Sequence, residues 1–148
     1  MKHHVSGLHA RQLEGETPLE GLFLVRVESA SYRRHPHRPF LALRFAILEP
    51  KSFERRSFSG RLYSTDRALW KLNWFLRDFG YDSDLLRQDE VDEKAVVNLR
   101  GIVRTSYITL DGRTFQNLEV FAPAGDWEEL SCSELGDVQD VQEDARGL

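Results

Sequence analysis

Three consecutive stretches of this chain alternate apolar and polar residues at a period of two. A fourth then repeats at the helical period, and two more strands meet at an Asp-Gly turn. That order constrains the fold more than any other feature. Residues 21–31 set Phe23, Val25 and Val27 against Leu24, Arg26 and Glu28. In residues 40–48, Leu41, Leu43, Phe45 and Ile47 are expected inward, and Phe40, Ala42, Arg44 and Ala46 outward. Residues 56–64 place Phe58, Gly60 and Leu62 on one face and Ser57, Ser59, Arg61 and Tyr63 on the other. Between Ser64 or Thr65, which can cap a helix, and Gly80, which can end one, Ala68, Leu72, Phe75, Leu76 and Phe79 share a stripe with Leu69 at its edge. An acidic, weakly helical piece spans 82–94. One long strand is then expected over 95–110, an Asp111-Gly112 hairpin turn, and a return strand over 113–121.

Three strands, a helix and two strands describe a five-stranded barrel with the helix between strands three and four. This is the oligonucleotide/oligosaccharide-binding (OB) fold, which takes its ligands on strands 2–3 and the 1–2 and 4–5 loops. A sheet with the helix on one face is the rival arrangement. Residues 1–20 read as a polar arm, 21–127 as the domain, and 128–148 as a flexible acidic tail. With 41% hydrophobic residues the chain can bury one core. The single cysteine, Cys132, excludes an intramolecular disulfide and fits a reducing compartment. No signal peptide or membrane-spanning run is read, so a cytoplasmic location, bacterial or in a phage-infected host, is expected.

Charge is segregated along the chain. Residues 21–64 hold nine basic and three acidic groups, an excess of +6, whereas residues 128–148 hold one arginine against seven acids. Such a basic body suits a polyanion. The outer face of strands two and three carries Phe40, Arg44, Arg61 and Tyr63, and the loop before it adds Tyr32, Arg33, Arg34, His37 and Arg38. Arg100 and Arg104 on strand four, with Tyr107, Arg113 and Phe115 about the hairpin, are candidates for a second wall. Guanidinium groups track phosphates and exposed rings stack on bases irrespective of sequence, so this mixture points to single-stranded nucleic acid.

Trp70 and Trp74 lie on the helix side away from the core stripe and need cover. The arm, the segment around Trp127, a second subunit or nucleic acid could supply it, and the pair is read as a partner or oligomer interface. No phosphate loop, paired-histidine helix or nucleophile elbow occurs, so neither catalysis nor a cofactor is expected. His3, His4 and His9 lie in the arm, and the arginines around His35 and His37 oppose a divalent metal, so no metal site is expected. The acids at 89–93 are read as solvated, and a metal-dependent nuclease would need them beside the basic face.

Residues 58–127 resemble a family of phage and prophage proteins related to phage single-stranded DNA-binding proteins. The resemblance rests on Gly60-Arg61-Leu62-Tyr63, on Ala68-Leu69-Trp70-Lys71-Leu72 running to Phe75–Tyr81, and on Leu99-Arg100-Gly101. Gly112-Arg113, Phe115-Gln116-Asn117, Phe121-Ala122-Pro123 and Asp126-Trp127 complete it. It implies the same barrel and a role in phage DNA replication or recombination, with an acidic tail that recruits partner proteins. The tail here ends Arg146-Gly147-Leu148, without the terminal aromatic of the familiar bacterial version. The expectation is therefore a non-catalytic single-stranded DNA-binding protein of low sequence specificity. A protein–protein adaptor in a replication or phage assembly complex is the alternative.

Overall fold

β1 (Gly21–Arg33) buries every second residue from Phe23 to Val27, and β2 (Phe40–Glu49) and β3 (Ser57–Tyr63) do so along most of their length, as their alternation predicts. The structure is a computed structural model and describes residues 19–132. α1 (Leu69–Asp78) follows β3, then two short helices, α2 (Ser83–Arg87) and α3 (Glu93–Val96). β4 (Arg100–Leu110) and β5 (Arg113–Pro123) complete an antiparallel sheet of order β3-β2-β1-β4-β5. The protein is therefore mainly β, with its principal helix between the third and fourth strands.

β1 is the strand on which the sheet turns. Its first half pairs with β4 from Gly21 opposite Thr105 to Arg26 opposite Arg100, while β2 runs along its other edge. Register shifts at Leu24/Val25 and Val27/Ser29 interrupt the β2 pairing. Bulges of this kind bend a strand and increase its twist, which brings the two outer strands together. Their meeting is made by side chains: Leu118 of β5 fills the space that a side chain at Gly60 of β3 would take. The expected five-stranded order is present, as an open antiparallel sheet. The sheet remains open between β3 and β5, because a leucine rather than a backbone ladder occupies that seam.

Inside the curl, Phe23, Val25, Val27, Leu41, Leu43, Phe45 and Phe58 meet Leu72, Phe75 and Leu76 of α1 and Phe79, which caps its C-terminus. Phe45 stacks on Phe58 with centroids 5.2 Å apart, and Phe75 packs 4.5 Å from Phe79 and 5.4 Å from Phe121. Each fully buried phenylalanine contributes roughly 1.5–3 kcal/mol, so this aromatic cluster anchors the helix to the sheet.

Four expectations shift. The helix starts at Leu69, because the Ser64 hydroxyl is bound to Pro39 O and the Tyr32 hydroxyl and 65–68 form a turn instead. Leu69, at the edge of the stripe, is exposed. The strand expected from residue 95 begins at Arg100. Asp92 caps α3 by accepting from the Lys94 N–H, Val96 is buried, and Asn98 turns the chain with φ 75°. Leu19, in the segment read as an arm, is buried: its N–H donates to Gln116 Oε1, and its carbonyl accepts from the Gln116 amide and the Thr105 hydroxyl. A helix covers 127–132, so the segment read as a flexible tail from 128 begins in helical structure, with Glu128 and Glu129 at the helix N-terminus where its dipole favours acids. His3, His4, His9 and tail residues 133–148 lie outside the described residues. The Asp111-Gly112 turn has φ values of 51° and 77°, the left-handed pair that a two-residue hairpin requires.

Candidate nucleic-acid interface

The ladder registers decide which side chains share the outer face. Phe40 lies opposite Tyr63 and Arg33, Ala42 opposite Arg61 and Ser31, and Arg44 opposite Ser59 and Ser29. All alternate with buried residues and therefore project away from the core. Two rings stand at one end of this surface, the Phe40 and Tyr63 centroids being 5.5 Å apart and tilted by 57°. A guanidinium covers each ring: Arg38 lies 4.3 Å from the Tyr63 centroid and Arg61 4.5 Å from that of Phe40. The result is an unbroken series, Arg38–Tyr63–Phe40–Arg61, drawn from the β1–β2 loop and both strands.

Beside it lies an open groove of about 750 Å³, lined by Arg33, Arg34, His35, Pro36, Phe40, Ala42 and Arg61, with part of Tyr32. Ala42 leaves the groove floor low between flanking arginines. Among the described residues, Arg33 and Arg34 have no ion pair or hydrogen bond with another side chain, and both are exposed. His37 is exposed in the same loop. Prolines at 36 and 39 restrict the backbone of this loop, which bends at residues 36–37, and that lowers the entropic cost of presenting its cations.

The other candidates divide. Tyr32 pairs with Leu41 and so turns inward, where it packs against the core with its hydroxyl 2.7 Å from Ser64 Oγ. The bulge after Val27 places Glu28 beside Arg44, which donates to it at 3.1 Å and to Ser57 Oγ at 2.8 Å. Arg44 thus arrives partly neutralised. Arg100 and Arg104 project to the same outer side from β4, and Arg104 is half-buried and engaged. Arg26, which sequence reasoning left out of the site, stands opposite Arg100 and extends the basic strip; its alternation with Val25 and Val27 was the available signal. Beyond Thr105, β4 and β5 pair only with each other. Phe115 and Ile108 face one side of that ribbon with Leu110 and Arg113, whereas Tyr107 faces the other side beside Gln116. The second wall is therefore split across two faces.

Trp74 is covered from within: its indole N–H donates to Asp78 Oδ2 at 2.9 Å, and its ring meets Phe121 edge-on at 5.5 Å. Trp70 stacks on Trp74 at 6.1 Å and stays 62% exposed. Beside them Lys71 is half-buried. Burial, opposed by attraction to Glu119, pushes its ammonium pKa below the ordinary 10.5. The folded chain then binds fewer protons than the unfolded chain as pH approaches 10.5 from below, so this group makes stability rise with pH there. Urea midpoints of Lys71→Met are expected to rise less steeply with pH than those of the unaltered chain over that window.

No described helix is long and apolar enough to cross a membrane, and no group of three or more His, Cys, Asp or Glu side chains among the described residues is arranged to hold a metal ion. Compared with known proteins, the chain matches no family model and no curated protein.

Proposed function

We propose that this chain is a non-catalytic single-stranded DNA-binding protein of the OB-fold type, gripping its ligand across β2 and β3 with little sequence preference. The carrying observation is the Arg38–Tyr63–Phe40–Arg61 series beside a basic groove. Rings offer stacking area to any base, and guanidiniums bind phosphate or stack on bases themselves, so the arrangement suits a single strand rather than a duplex. The strand order, the helix between β3 and β4, and the approach of β5 to β3 support the fold assignment. The resemblance to phage-type proteins supports a role in phage or prophage DNA replication or recombination, with partner proteins recruited through the acidic tail.

The test is a fluorescence titration with oligo-dT at several salt concentrations. Arg33, Arg34, Arg38 and Arg61 predict a log–log salt slope of about −3, since each phosphate neutralised on a single strand contributes about −0.7. Absence of binding at low salt would sink the proposal. One observation favours a second reading, a protein–protein adaptor: the hairpin exposes Ile108, Leu110 and Phe115 together. An adaptor would keep its partner when the groove arginines are removed.

A further inference from the structure

α1 carries a second basic and aromatic surface that the groove does not use. Trp70, Trp74 and Arg77 recur at helical spacing along one stripe, Lys71 adjoins it, and Arg67 stands in the turn just before the helix. Arg67 and Arg77 are exposed and have no ion pair among the described residues. We propose that Trp70 is a stacking platform for a base of the same strand that fills the groove, lengthening the binding site from Tyr63 onto α1. The inference rests on the single-strand reading above.

Three features favour a base over a protein surface. The platform is rigid before any ligand arrives: Asp78 and Phe121 hold Trp74, and Trp74 supports Trp70 from behind, so little ordering is left for binding to impose. The outer face of Trp70 is left for a flat partner. The exposed apolar area on this helix is also small, being Trp70 with Leu69, and cations stand at both ends of the stripe. A standard protein interface buries about 800 Å² per partner around a core depleted in charge, which this surface does not offer. The platform is close in sequence to the strand that carries the outer ring series. Tyr63 closes β3, and Trp70 follows in the first turn of α1, less than about 25 Å away even for a fully extended connection. The turn closed by the Ala68 N–H on Thr65 O shortens that path.

The experiment is a titration of the full chain, Trp70→Ala and Trp70→Phe with oligo-dT of increasing length, following anisotropy and tryptophan emission, with sedimentation of each protein alone. Trp70→Ala is expected to match the unaltered chain on the shortest oligonucleotides that bind. On longer ones it should fall about tenfold or more behind, with the quenching lost. Trp70→Phe should recover most of the affinity, since its ring still stacks. Equal affinity of Trp70→Ala at every length, with the groove still binding, overturns the platform and leaves the proposed function standing. A change in sedimentation on Trp70→Ala overturns it too, by assigning the ring to a subunit contact. Failure of the unaltered chain to bind any oligonucleotide overturns both.

Discussion

Replacing Arg33, Arg34 and Arg38 together with alanine is expected to weaken oligo-dT binding about a hundredfold at low salt and to flatten the salt slope by about 2. The three are exposed in or beside the β1–β2 loop, and Arg33 and Arg34 are not engaged with other side chains of the described chain. Their removal therefore takes positive charge from the groove without taking an internal contact from the fold. Arg38 is the partial exception, because it lies over the Tyr63 ring. A cation–π contact at an exposed site is worth about 0.5–1 kcal/mol, so the urea midpoint should move only slightly. Two quantities thus separate, affinity falling steeply while stability stays near its original value. Equal shifts in both would mean that the loop is structural. Unchanged affinity would remove the groove from the binding mechanism and favour the adaptor reading. The change in slope is the more specific readout, since a general loss of fold does not reduce the number of phosphates neutralised by the molecules that remain folded.

The groove could be anticipated from sequence because strand alternation is a local property. Once Leu41, Leu43 and Phe58 are assigned inward, Phe40, Arg61 and Tyr63 must share the outer face, and the ladder registers agree. The Asp111-Gly112 hairpin was legible for the same reason, its backbone requirement lying within two residues. The settings of Tyr32 and Arg44 depend on non-local effects. Tyr32 sits after a bulge that changes the parity of β1, and the same bulge delivers Glu28 to Arg44. A bulge leaves no dependable sign in the alternation, so neither side chain could be placed without the fold. The beginning of β4 failed differently. Apolar residues from Ala95 onward suit a strand, but the Asp92 cap and the burial of Val96 make a helical turn there. Trp70 and Trp74 were recognisable as exceptional, yet their different fates depend on Phe121, some fifty residues further along the chain.

The largest stability effect is expected at Gly101, which the sequence presents only as an ordinary strand residue. A Cβ at this position would overlap the ring of Phe79, meeting three of its carbons at once. That ring cannot withdraw easily. It is buried, and its centroid lies 4.5 Å from Phe75, 6.1 Å from Phe45 and 6.2 Å from Phe121. Gly101→Ala is therefore expected to cost about 2–3 kcal/mol, the upper part of the range for overpacking a core, and to lower Tm by on the order of 10 °C. Gly60→Ala should cost less. Its Cβ would come within 2.7–2.9 Å of the Leu118 side chain, a shallower overlap than the 2.4–2.7 Å to the Phe79 ring. Pairing Gly101→Ala with Phe79→Leu makes the mechanism testable, because removing the ring removes the overlap. The double variant should then be more stable than the sum of its single costs predicts, a coupling that a cycle of melting or urea curves measures directly. Additive costs, or a Gly101→Ala loss below about 0.5 kcal/mol, would mean that Phe79 has room to move. Gly101 lies between Arg100 and Ile102, whose side chains project to the opposite side of the sheet. Below its lowered transition the Gly101→Ala chain should accordingly bind oligo-dT as the unaltered chain does, because the overlap acts on the inner face and the basic strip lies on the outer one.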